Sequence, residues 1–285
     1  MVHQTVWTWP IVAEQFLFGL AGGGIVVAAA LSLLTRREEY RPTIKYTYAT
    51  SAVASIIGLA ILVLELGRPE RAPNAILNLL RLGTSVMSWS VPLLGSFVAV
   101  AVVGGGLELF LPGVFRRVGR PLEALMLVLG VGAGLQAGLL LQAATFRGFW
   151  QTPIFPYIYL ITGILGGIGL VGLLLARKME SFGDVVHSLI SYGLALTILH
   201  LLAIAAHLTL AWNLFETRAL LTTLWLGLPF YLGTMLLGIV VPGLLSAWAV
   251  WRGAASRGLA SAIFALYILG LLVSRIVYLF AGQLV

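Results

Sequence analysis

Apolar residues in this chain come in long blocks rather than at the short periods of an amphipathic helix or strand. Eight blocks, each near the roughly 20 residues an α-helix needs to cross a bilayer, fall at about 10–34, 45–66, 86–111, 121–144, 154–176, 183–214, 224–250 and 259–282. The stretches between them are short and hold most of the charged residues. The pattern predicts an all-α polytopic membrane protein of eight transmembrane helices, with little chain left for anything else. The first block is full length and lacks both a basic leader and a small-residue cleavage site, so it is expected to remain in the protein rather than act as a signal peptide.

Composition sharpens this. Sixty per cent of the 285 residues are hydrophobic and 9% are charged, against about a quarter charged in soluble domains. A soluble globular enzyme is excluded, because the polar surface is too small to cover a compact particle. The chain has no cysteine, which removes disulfides, thiolate metal sites and cysteine-ligated iron-sulfur clusters. Any cluster belongs to a partner.

The net charge of +7 gains meaning once it is assigned to connections. Of the 17 Lys and Arg residues, eleven follow odd-numbered blocks (among them Arg36, Arg37, Arg41, Arg116, Arg117 and Arg120), five follow even-numbered blocks, and Arg275 lies inside the last. The positive-inside rule then places both termini outside. Gly19-Leu20-Ala21-Gly22-Gly23 in the first block and Gly163-Ile164-Leu165-Gly166-Gly167 in the fifth are each followed by a basic pair. Both blocks start on one side, so the chain is expected to be a single membrane domain of two parallel four-helix units, 1–150 and 151–285. Glycines at such spacings let helix backbones approach closely.

Ionisable groups inside spans are costly and mark candidates for function. They are Glu14, Glu65, Glu108, Glu123, His200, His207 and Arg275. By depth, Glu14, Glu65, Gln136 and Gln142 converge near the outer face, which points to a polar pocket there. Each has a structural alternative: Glu14 complements a helix start, Glu65 pairs with Arg68, and the glutamines bond neighbouring helices. Glu108 and Glu123 are expected to pair with Arg116, Arg117 and Arg120 at the inner end. His200 and His207 share one helix face, and with His3 and His187 as the other histidines, a bis-histidine haem across helices cannot be built. Arg275 needs an anion or carbonyls, with Glu65, Glu14 or a ligand oxygen as possibilities.

Three stretches read together carry a resemblance. EQFLFGLAGGG spans 14–24, LELGRPER spans 64–71 ahead of Ser85-Val86-Met87-Ser88-Trp89, and FWQTPIFPYIYLITGILGG spans 149–167. In this order they resemble the NrfD/PsrC family, the integral membrane subunits of polysulfide reductase and related complexes. The resemblance implies a protein that is not catalytic alone, that binds quinone or menaquinone near the outer face of the inner membrane and that holds no haem, cluster or metal. It implies a ferredoxin-like iron-sulfur subunit and a molybdopterin catalytic subunit on the outer face, in electron transport of the anaerobic-respiration type. The connection holding Arg68, Pro69, Glu70, Arg71, Pro73, Asn74 and Asn78 is the expected docking segment.

Carried over residue by residue, Glu14 and Gln15 fall just ahead of GLAGG, where the family has polar quinone ligands. Glu65 stands where the family commonly has Asp, and Gln136 where a tyrosine contacts quinone. Glutamine hydrogen-bonds a carbonyl but supplies no phenolic proton. Glu65 and Glu14 are thus expected to exchange protons, Gln136 to hold a carbonyl, and Arg68 to tune Glu65. A path for proton translocation through Glu108, Glu123, His200, His207 and Arg275 is left open. A small secondary transporter and a purely structural anchor are the competing readings.

Overall fold

The computed structural model describes residues 7–35, 38–65, 86–144 and 147–283. Among these, eight helices are long and apolar enough to cross a membrane, and no strand occurs. We label them α1 (Trp9–Thr35), α2 (Arg41–Glu65), α3 (Val86–Phe110), α4 (Pro112–Gln142), α5 (Phe155–Ala176), α6 (Met179–Leu210), the short non-spanning α7 (Phe215–Thr222), α8 (Leu224–Arg252) and α9 (Arg257–Ala281).

The main departure from the hydrophobic pattern is the start of α4, at Pro112 rather than near residue 121. Pro112 occupies the first turn, where a missing N–H has no intrahelical partner to lose. Pro121 is accommodated inside the helix. Arg116, Arg117 and Arg120 therefore ride on the first turns of α4 instead of in a loop. Sharper sequence signals set other ends: Gly253, at φ 68°, terminates α8, and Ser256 caps α9 by accepting the Leu259 N–H at 3.2 Å.

α1 to α4 close a four-membered ring, α1 packing on α2 and α4 while α3 fills the gap between those two. α5, α6, α8 and α9 repeat the arrangement. The rings meet where α1 crosses α5, through glycine. A Cβ on Gly23 would land on the Gly163 carbonyl, and one on Gly167 would strike the Gly23 backbone. α5 is accordingly the most enclosed span, 72% buried over its most apolar window, against 33% for α6 and α8.

Gln15 and Tyr159, 144 residues apart, are hydrogen-bonded to each other. The same shift carries α1 onto α5, α2 onto α6, α3 onto α8 and α4 onto α9. α8 is the odd member, with Pro229–Val240 wound as a π-helix. The wider turn brings residues five apart toward one face, and Gly233 and Gly238 lie against Val273 and Gly270 of α9.

Candidate functional site

An even number of spans puts Trp7 and Gln283 at one end of the bundle, here called the terminal end. There α1 opens at Trp9 and presents Glu14 and Gln15 in its second turn, both buried. α4 brings Gln136 to the same level, also buried. The three polar side chains line one small cleft of about 30 Å³, walled by Trp7, Ile11, Leu62, Leu140 and Leu141. The structure thus joins Glu14, Gln15 and Gln136. Gln136 Oε1 has no hydrogen-bond partner among the described residues. A buried carbonyl left in this state marks a place where a ligand or water belongs.

Behind the cleft lies a second set of groups. Gln15 Oε1 accepts the Tyr159 hydroxyl at 3.2 Å. The Tyr159 carbonyl accepts Arg275 Nη2 at 2.8 Å, and the guanidinium carbon sits 3.8 Å from the centroid of the Tyr159 ring. Arg275 is 1% exposed, and its charge acts on both Glu14 and His200. Of the partners open to Arg275, the structure supplies a carbonyl, an aromatic face and the field of Glu14. The glycine motif of α1 makes this possible, since a Cβ on Gly19 would stand 3.1 Å from Arg275 Nη2. Arg275 Nε and Nη1, both ring nitrogens of His200 and the Tyr278 hydroxyl have no partner among the described residues.

The segment between α4 and α5 closes this region. Thr152 Oγ1 lies 2.6 Å from His207 Nδ1, and the Thr152 carbonyl accepts Gln142 Nε2 at 3.1 Å. Gln142 therefore binds the connection rather than facing the cleft. Trp150 Nε1 donates to the Tyr278 carbonyl at 2.9 Å, and Trp7 stacks on Trp150 at 5.0 Å. Gln283 then clasps Trp7: its Oε1 accepts the Trp7 N–H and its Nε2 donates to the Trp7 carbonyl, each at 3.0 Å. Phe155 packs on His207, Tyr159 and Tyr278 together.

Glu65 is the last residue of α2 and is exposed. It stands one turn beyond Leu62, a wall of the cleft, and no described hydrogen bond or ion pair joins it to Glu14. Arg68 and the rest of the LGRPER connection, with Ser85, lie outside the described residues, as do Arg36, Arg37 and His3.

The opposite, or far, end corrects one expectation. Glu108 pairs with Arg41, not with the arginines of α4, through Nε–Oε1 at 2.8 Å and Nη2–Oε2 at 2.9 Å. α3 ends beside the start of α2, while Arg116, Arg117 and Arg120 turn to the exposed side of α4. Arg116 reaches Glu38 at 3.2 Å instead. Glu123 accepts the Tyr48 hydroxyl at 3.4 Å and has no ion-pair partner among the described residues.

Sequence reasoning passed over Tyr159, Thr152, Trp150 and Tyr278, because aromatic and hydroxyl residues in spans read as packing. The signal available was that Trp150, Thr152 and Tyr159 all fall inside the FWQTP-to-GILGG stretch.

Comparison with known proteins agrees from end to end. A family model described as "Polysulphide reductase, NrfD" matches residues 1–285. The chain is 29% identical to "Protein NrfD" of Escherichia coli (strain K12), over 99% of its own length and 96% of that protein. It is 27% identical to the polysulfide reductase C subunit of Wolinella succinogenes, over 99% and 95%, and 23% identical to "Protein NrfD homolog" of Haemophilus influenzae, over 98% and 95%. The chain belongs to the polysulphide reductase NrfD family.

Proposed function

We propose that this family member is the quinone-reactive membrane subunit of a respiratory oxidoreductase complex, with its site in the cleft at the terminal end. The observation that carries the reading is the convergence of Glu14, Gln15 and Gln136 in one otherwise apolar cleft, the composition expected of a ligand site with a few placed polar groups. The unpartnered Gln136 Oε1 fits a ligand that hydrogen-bonds there. At about 30 Å³ the cleft admits no more than one or two waters. Leu62, Leu140 and Trp7 must therefore part for a quinone ring.

Exchange of two electrons with a quinone is accompanied by exchange of two protons, and the electrons pass to or from a partner subunit. In this protein Gln136 and Gln15 orient the head group through their amides, and Tyr159 fixes the Gln15 rotamer. Glu14 takes up or releases a proton at its carboxylate, with Arg275 steadying the charged form. Glu65, one turn above the cleft wall, is the second proton exchanger, next to the connection that carries Arg68. His200 and His207, on the inner side of this region, are its proton-relaying groups, and Arg275 is a fixed positive charge acting on His200 and Glu14. Glu108 and Glu123 stay outside the proposal, because Glu123 lies about 20 Å along α4 from Gln136. The intervening turns pack closely against α1, with Gly130 on the Gly22 backbone.

We further read residues 1–150 and 151–285 as a duplicated four-helix unit, with both termini and the cleft at the outer face of the inner membrane. The Wolinella relative is named as one lettered subunit of a polysulfide reductase, which supports a multi-subunit setting. The partners proposed are a ferredoxin-like iron-sulfur subunit and a molybdopterin catalytic subunit, docked over the cleft. Mild-detergent purification of the tagged protein from its host, followed by mass spectrometry, is expected to recover both. The purified complex is expected to bind a menaquinone analogue, weakened when Glu14 or Gln136 becomes alanine. Recovery of the membrane subunit alone, with other respiratory complexes intact, overturns the partner assignment; unchanged analogue binding overturns the site.

A further inference from the structure

Two parts of the molecule hold polar groups that protein alone does not serve. At the far end α1, α2, α3 and α4 enclose a cavity of about 330 Å³ beside Glu123. It opens next to the exposed Glu38 and Arg116, so bulk water reaches its charges. The other part is sealed. In the terminal half of the second ring, seven polar atoms on five side chains have no hydrogen-bond partner among the described residues: Arg275 Nε and Nη1, both ring nitrogens of His200, His207 Nε2, the Tyr278 hydroxyl and Thr234 Oγ1. None of the five side chains is more than 1% exposed. They gather from three helices. Arg275 and Tyr278 stand one turn apart on α9, and the charge of Arg275 acts on His200 of α6. Phe155 packs on both His207 and Tyr278, and Gly233, next to Thr234 on α8, lies against Val273 of α9.

Folded proteins leave few buried donors and acceptors unpaired, because each such group has lost its water for nothing in return. Arg275 is the sharpest case. The Tyr159 carbonyl accepts its Nη2, and it forms no ion pair among the described residues. The chemistry of the set says what meets it. Guanidinium N–H groups only donate, an uncharged imidazole presents one N–H and one bare nitrogen, and hydroxyls do both. An anion satisfies the donors and leaves the bare nitrogen unmet, while a metal ion satisfies that nitrogen and meets the guanidinium as a like charge. Water serves donors and acceptors alike, and one buried water makes about three hydrogen bonds. We infer that the second ring holds a buried water cluster centred on Arg275, His200 and Tyr278, which solvates the guanidinium in place of a counter-ion. The field of Arg275 inside the bundle is then cancelled by no contacting carboxylate. The inference stands independently of the quinone reading.

The test is X-ray radiolytic labelling of the detergent-purified full-length protein, read residue by residue by mass spectrometry. Hydroxyl radicals made in place from bound water mark the side chains that touch it, including those closed to bulk solvent. α9 carries its own control. Tyr267 is as buried as Tyr278, but its hydroxyl ends on Ser246 at 2.9 Å. Tyr278 and His200 are expected to take up label at a dose where Tyr267 and the fully buried Phe264 take up none. Equal labelling of Tyr278 and Tyr267 overturns the inference and makes the second ring dry. Unlabelled Tyr278 and His200, together with a thermal midpoint that rises with chloride at fixed ionic strength, replace the water by an anion. Loss of both labels on adding a menaquinone analogue also overturns it, since the space then belongs to a ligand. Analogue binding with both labels kept is the expected result, and a failure to bind the analogue with both labels kept counts against the quinone reading alone.

Discussion

The two four-helix rings share a path and differ in what fills them. Under the 144-residue shift, Glu14, Gln15 and Gln136 correspond to Ile158, Tyr159 and Phe280, and Glu123 to Tyr267. The first ring thus has polar side chains and open space at both ends, where the second has aliphatic and aromatic bulk. Ile158, Tyr159 and Tyr267 are almost fully buried, and Tyr267 ends on Ser246 at 2.9 Å, closing the position where Glu123 opens a cavity. The difference teaches that the first ring makes its clefts by carrying polar side chains at levels where the second carries bulk. The second ring is not idle, since its Arg275 and Tyr159 hold the back of the first ring's cleft.

Breaking the junction between the rings is expected to have the largest effect. Gly23→Leu forces a side chain into the Gly163 backbone, where overpacking exceeds the cost of about 1–3 kcal/mol typical of cores and abolishes a monodisperse peak in size-exclusion chromatography. Gly106→Leu, with open space at its Cβ, should leave the peak unchanged. Next comes Arg275→Ala, which removes the positive charge that the second ring places behind the cleft. It also removes the Arg275 hydrogen bond to the Tyr159 carbonyl, and loss of a hydrogen bond to a charged group costs about 1.5–3 kcal/mol, read as a lowered thermal midpoint together with loss of quinone-analogue binding. Gln136→Leu makes the first ring resemble the second. It removes an unpartnered carbonyl, so the midpoint should hold or rise while analogue affinity falls about tenfold, the loss of one hydrogen bond in a dry site. Tyr159→Phe is the mildest change: it frees Gln15 and costs about 1 kcal/mol, with a small loss of analogue affinity. If Gln136→Leu and Tyr159→Phe leave analogue binding untouched while Arg275→Ala abolishes it, the second ring rather than the cleft holds the ligand.

The eight spans could be read from apolar blocks because lipid imposes a length on each helix. Their ends were less legible: Pro112 and Pro121 make 112–120 look like a loop, yet the exposed first turns of α4 tolerate both. The π-helical stretch of α8 leaves no sequence mark, since it depends on how Gly233 and Gly238 meet α9. Glu14 and Gln136 could be grouped with Glu65 and Gln142 by counting residues from the helix ends, which fixes depth, while Gln15 entered through the resemblance. Counting does not fix azimuth, and this is why Gln142 turned to Thr152 and Glu108 to Arg41. Tyr159 and Thr152 escaped notice because their polarity is a single hydroxyl on a side chain that otherwise looks like filling.

The clasp between Trp7 and Gln283 makes the stretch between them nearly a closed loop, joined by two hydrogen bonds across 276 residues. Such a molecule is a natural subject for circular permutation. A short peptide joining Trp7 to Gln283, with a cut in the Gly253–Ser256 turn, would keep every helix neighbour in place. It would also move both new ends to the far side of the bilayer, so the sidedness of the polypeptide's ends is a property of where the loop is cut and not of how the helices pack.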